Sequence, residues 1–246
     1  MMFLTTKSFA ETLQAQVKFK LHAYLSMVVY LIILQVAGML LFLLLGSANM
    51  SSSSDLVEME FYVFTPKPML ILSSLWAFYV GKLMTRHDQR ADIMPFVTTR
   101  TLSSIADVVV LGLLAIFTGI TVMLSIYVVR IIVMLKPNQN IISGENMVNA
   151  PGIFIENIMT FIVFILLMTA IGYFFGMLTQ QSKLWIFFIV AVSVLMLCSA
   201  FGQQVLLVTI KLAKSVPLPL LGTPVIASSI LFVLATLLAN KLEVRG

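Results

Sequence analysis

Residues 23 to 45 read AYLSMVVYLIILQVAGMLLFLLL, with no Asp, Glu, Lys or Arg, and the run stops at Gly46, where the polar stretch SANMSSSSDLVEME (47 to 60) begins. About 20 apolar residues carry a helix across a hydrocarbon core roughly 30 Å thick. This run therefore reads as a membrane span. Five more follow on the same grounds: 61–83, with Phe61 to Phe64 extending a short run that starts at Pro68, then 103–129, with a continuation towards Leu135, and 153–178, 184–208 and 220–239. Pro217, Pro219 and Pro224 fall before and at the start of the last run, where a short re-entrant segment also fits the pattern.

Composition agrees with that count. The 246 residues are 60% hydrophobic and 10% charged, against roughly 45–50% and about 25% in ordinary soluble domains. Such a chain is neither a soluble globule nor a disordered segment, and six spans with their loops leave no room for a soluble domain of about 100 residues. The expected class is all-α, a single polytopic membrane domain over 1–246, and any soluble machinery belongs to another chain. The lone cysteine, Cys198, lies in an apolar run and can form no intrachain disulfide.

Before the first span, residues 5–21 suit an amphipathic helix lying along the interface rather than a cleavable signal. Phe9, Leu13, Val17 and Leu21 recur at four-residue steps, and Lys7, Glu11, Gln14, Lys18 and Lys20 lie largely elsewhere. A continuation of the first span is the alternative. With the amino terminus inside, ten of the 15 Lys and Arg residues fall in inside segments and five outside. That bias puts both termini in the cytoplasm. The formal charge of +5 is then a topological signal, and nucleic acid is not an expected partner.

Candidate chemistry is sparse. The sequence has no HExxH, no GxSxG and no Cys/His cluster, and His22 and His87 stand on different segments. No metal site or catalytic set is expected. Asp107 and Glu156 lie near span ends, where a carboxylate either reaches the interface or serves as a gating or cargo contact. Without a GxxxxGK[ST] nest the chain needs no cofactor of its own, and any ATP and Mg belong on a partner. Gly172 and Gly176 share a helix face and suit close packing, either within the subunit or at a dimer or gating contact, and Gly112 with Gly119 suggests a second smooth strip.

The segment 81–104, GKLMTRHDQRADIMPFVTTRTLSS, alternates Arg86, Asp88, Arg90 and Asp92 before Pro95. A short helix ending before Pro95, followed by a helix capped at Thr98 or Thr99, would project from the cytoplasmic face. A solvated connecting loop is the alternative. Here the chain resembles the permease subunits of ABC-2 type exporters, which carry a charged stretch after the second span and a leucine-proline-x-[ST]-[RK] pattern leading into the third. The matching residues are Met94, Pro95, Phe96, Val97, Thr98, Thr99 and Arg100, with methionine at 94 where leucine is common. Small extracellular loops add a likeness to the Gram-positive branch that exports antimicrobial or toxic peptides, including the exporters of phenol-soluble modulins.

The resemblance implies that residues 86–100 form a coupling helix docking on a cytoplasmic ABC ATPase, with the helix around Phe9 to Lys20 in the same contact. It further implies a bacterial cell membrane, a second permease copy or paralogue, and an amphipathic cargo passing between the two. Competing readings are the substrate-capture subunit of a small-solute importer, an intramembrane enzyme, and a non-transporting scaffold. The first needs convergent polar groups that these spans offer only sparsely.

Overall fold

A computed structural model describes residues 9–45, 48–54, 57–63, 67–85, 100–135, 151–181 and 222–242. Among them lie six helices: α1 (Phe9–Ala23), α2 (Leu25–Leu45), α3 (Lys67–Met84), α4 (Arg100–Met134), α5 (Pro151–Gln181) and α6 (Gly222–Leu242), with one hairpin of strands β1 (Ala48–Ser54) and β2 (Val57–Val63). Three helical stretches are long and apolar enough to cross a membrane, Leu25–Leu43, Leu102–Ile132 and Pro151–Gln180, while Pro68–Met84 and Gly222–Leu238 are shorter apolar helices. The span expected over 184–208 lies outside the described residues.

Apart from this hairpin the described residues are helical, as the all-α class requires, and the hairpin corrects one boundary: residues 61 to 63 do not extend the second span. Val57, Met59, Phe61 and Val63 alternate with Glu58, Glu60 and Tyr62, the period of a strand, and β2 pairs antiparallel with β1 from Ala48↔Val63 to Ser54↔Val57. Pro68 sits in the first turn of α3, where a missing N–H costs little, and the helix stops close to it.

The exterior is apolar in a way that a soluble protein's is not, around an interior that is mainly apolar but also takes in hydroxyl side chains. Ile33, Val36 and Leu40 of α2, Ile71 and Leu75 of α3, Leu113, Ile120 and Leu124 of α4, and Ile226, Ile230 and Leu237 of α6 are exposed, whereas Ser73, Thr118, Ser125, Thr169 and Ser228 are buried. Hydroxyl groups on the helices turn back on their own backbone: Thr118 donates to Leu114 O, Ser125 to Val122 O and Thr169 to Leu166 O. Such side chains need no water. This exterior fits lipid.

Contacts fix the directions of the helices. Trp76 Nε1 donates to Met27 O at 3.0 Å and Gly38 lies against Met69, so α2 and α3 are antiparallel. Asp107 meets Tyr173, Gly119 meets Ile162 and Tyr127 meets Phe154, so α4 and α5 are antiparallel too. By contrast, Phe78 faces Gly172, Lys82 faces Gly176, and Thr85 meets Gln180, which makes α3 and α5 a parallel pair. The end of α3, the start of α4 and the end of α5 consequently share one end of the bundle with α1. Tyr24 joins α1 to α2 with little interruption, its N–H donating to Lys20 O at 3.0 Å and its carbonyl accepting from Met27 N–H at 3.0 Å.

The parallel pair is built on glycine. A Cβ at Gly172 would strike the backbone of Phe78, one at Gly81 would lie 2.9 Å from the Tyr173 nitrogen, and one at Gly176 would lie 3.1 Å from Lys82 Cα. Gly112 is different, because a Cβ there meets nothing within 4 Å. The strip expected from Gly112 and Gly119 therefore does not form: Gly119 packs on Ile162 of α5, and Gly112 faces outwards. Overpacking of this kind costs about 1–3 kcal/mol, whereas an alanine on an open helix face gains about 0.5–1 kcal/mol over glycine. Gly172→Ala is expected to lower the unfolding temperature in detergent micelles and Gly112→Ala to leave it unchanged or raise it; the reverse order would contradict the packing.

Candidate functional site

α1 turns an unexpected face to the bundle. Its inward side carries Gln16, Val17 and Lys20, and its outward side carries Phe9, Lys18, Phe19 and Leu21. Lys20 thus departs from the solvent-facing side assigned to it by the amphipathic reading, although Val17 does pack, half-buried, against the main apolar cluster, and Leu13 is half-buried. The reason lies on α4. Asp107 is in the second turn of that helix, buried in spite of its charge, and no water is needed if a cation reaches it.

Lys20 is that cation. Its Nζ lies 2.5 Å from Asp107 Oδ1 and donates also to the carbonyl of Ser103 at 2.8 Å and its hydroxyl at 3.0 Å. Three N–H donors thereby meet three acceptors. Ser103 and Asp107 are four residues apart and share a face of α4, which is why one ammonium reaches both. Lys20 also stands in the last turn of α1, where the helix dipole favours a cation. On the far side Tyr173 OH of α5 donates to Asp107 Oδ2 at 3.3 Å, and the tyrosine ring, fully buried, packs tilted against Phe232 of α6 at 5.9 Å. One charge pair therefore gathers α1, α4 and α5, with α6 behind the tyrosine.

Further polar contacts support the frame. Gln35 Nε2 of α2 donates to Thr121 Oγ1 of α4 at 2.9 Å, and Gln180 Nε2 of α5 donates to the carbonyl of Thr85 at the end of α3. Lys82, exposed, lies over the Phe175 ring at 5.7 Å.

The chain matches no known family model, no curated protein and no solved structure.

Of the other residues singled out by the sequence, Arg86, Asp88, Arg90, Asp92, Met94, Pro95, Thr98 and Thr99 lie outside the described residues, and Arg100 opens α4. Gly172 and Gly176 lie against α3 within the chain. Asp107 and Glu156 are not brought together: Glu156 is half-buried in the early turns of α5, at the opposite end from Asp107, with its carbonyl accepting from Thr160 Oγ1 at 2.8 Å. Among the described residues no group of three or more His, Cys, Asp or Glu gathers. Sequence reasoning missed Ser103, Tyr173, Gln35, Thr121 and Gln180. A lone carboxylate in a long apolar helix, with a serine four residues before it, was the available signal for the first two.

Removing one member of a buried ion pair strands the other and costs about 3–5 kcal/mol, while replacing both by apolar groups is often nearly neutral. Lys20→Met and Asp107→Leu should each lower stability by that amount in detergent unfolding, and the double variant by much less than their sum. Simple additivity would show that the two side chains do not act as a pair.

Proposed function

We propose that the chain is the permease subunit of an ATP-driven exporter of the ABC-2 type, moving amphipathic, antimicrobial or toxic peptides out of a bacterial cell. In this reading six spans cross the cell membrane, both termini are cytoplasmic, α1 lies at the cytoplasmic interface, and a second permease copy or paralogue completes the pathway. A separate cytoplasmic ATPase supplies ATP and Mg.

The observation that carries the reading is the shared end of the bundle. There α3 ends at Met84, α4 begins at Arg100, and α1 is pinned to α4 through Lys20 and Asp107. Both borders of the charged stretch 86–99 and the amino-terminal helix thus sit where one soluble partner can bear on them together. The cation bias gives that end to the cytoplasm. A chain that lacks a phosphate-cradling nest must obtain any ATP-driven work from such a partner. The ATPase would then bias the bundle between two states that differ in affinity for cargo. The apolar side of an amphipathic cargo suits helices whose polar side chains are spent on one another and on their own backbone.

Two outcomes test this. Affinity purification in mild detergent should recover an ATP-hydrolysing protein with the native chain, and changing Arg86, Asp88, Arg90 and Asp92 together to alanine should reduce its recovery at least about tenfold, or roughly 1.4 kcal/mol, with the permease still monodisperse. Single cysteines in place of the exposed Lys18 and Lys82 should react with a membrane-impermeant maleimide in inverted vesicles but not in intact cells. Labelling of both from outside would reverse the topology and remove the docking surface from the cytoplasm.

A further inference from the structure

Thr85 closes the turn after α3 and Arg100 opens α4, and each of these two borders is gripped by a side chain from another helix. On the outgoing side Gln180 of α5 donates to the carbonyl of Thr85. On the incoming side Lys20 of α1 donates to the carbonyl of Ser103 at 2.8 Å, in the first turn of α4. Both grips are on main-chain oxygen. A carbonyl cannot swing away as a side chain can, so each grip follows the backbone of the border itself.

The two grips are also joined to one another. Tyr173, which holds Asp107 and through it Lys20, is seven residues before Gln180 on α5, two helical turns along the same side. Between them Gly176 lies against Lys82 of α3. One stretch of α5, from Tyr173 to Gln180, therefore touches the end of α3 directly and the start of α4 through the charge pair. α1 is held besides by its near-continuous junction with α2 at the buried Tyr24 and by Val17 against the main apolar cluster, so Lys20 is its grip on the start of α4 in particular.

We propose that Lys20 and Gln180 are positioning residues that carry a displacement of these two borders into α1 and α5. The proposal rests on the reading that the stretch between the borders docks an ATPase. Gln180 grips the outgoing border and moves α5 with it; Lys20 grips the incoming border and moves α1. Loss of either grip breaks transmission on its side, and loss of the Gln180 grip does so with docking intact.

The test uses the full-length chain with its co-purified ATPase in lipid nanodiscs, spin-labelled at the exposed residues Lys18 on α1 and Leu40 on α2, and in a second sample at Ile171 on α5 and Leu40. Distances are measured with and without Mg and a non-hydrolysable ATP analogue. The native chain and Lys20→Arg should show a nucleotide-dependent shift of about 2 Å or more, the size of a helix displacement between states. Lys20→Met should abolish the shift at Lys18 in the complexes that retain the ATPase, and Gln180→Leu should abolish the shift at Ile171 with ATPase recovery unchanged. Gln180 is at the surface, so its variant remains informative even if Lys20→Met does not fold. Unchanged shifts in the variants with ATPase bound, or no shift in the native chain, overturn the proposal alone. Failure of the ATPase to bind the native chain overturns the docking reading and this inference with it.

Discussion

Helices surrounded by lipid gain nothing by hiding apolar surface from one another, so their association depends on close backbone approach and on polar groups that find partners. The contact of α3 with α5 supplies the first condition. With Gly81 on one helix and Gly172 and Gly176 on the other, side chains are absent where the backbones meet, and dispersion acts at short range along the pair. Neighbouring helices take their places from this axis: α2 lies against α3 through Trp76, α4 against α5 through Gly119 and Ile162, and α6 against α5 through Phe232.

The polar groups supply the second condition. Two charges buried together are tolerable because every N–H of the Lys20 ammonium has an acceptor and both oxygens of Asp107 have a donor. Gln35 is settled in the same manner on Thr121, whose hydroxyl in turn donates to Thr118 O at 3.0 Å. These contacts add direction to packing that glycine and aliphatic surfaces leave only loosely specified. They also explain how α1, whose outer side carries Phe9 and Phe19, is held at a definite place on the bundle.

Much of this was legible in the sequence. The runs at 103–129 and 153–178 fall inside α4 and α5, and the run at 220–239 overlaps α6 closely, because continuous apolar stretches leave few alternatives to a helix in lipid. The second run misled at its start: Phe61, Tyr62 and Val63 are apolar enough for a span, but their alternation with Glu58 and Glu60 belongs to a strand. The four-residue repeat of α1 misled for another reason. Periodicity finds a helix face, yet it ranks faces by hydropathy, and here the face turned inwards is the one bearing Lys20, whose partner Asp107 stands 87 residues away. No local pattern reports a pairing of that kind. Tyr173 was hidden similarly, as one aromatic among many, although Gly172 beside it had already marked that turn of α5.

The parallel alignment of α3 and α5 bears on how the chain is made. Phe78 and Gly172 meet across roughly 90 residues of sequence, with all of α4 between them. At about 5–20 residues per second during synthesis, α3 is made some 5–20 s before its partner has been translated. Through that interval its glycine side at Gly81 lacks the cover that α5 later gives it. α2, already present, covers a different part of α3 through Met27 and Gly38. Assembly therefore waits on the fourth helix of the bundle to bring back the fifth, and a nascent chain halted after α4 carries a half-built seam open to any other helix with small residues on one side.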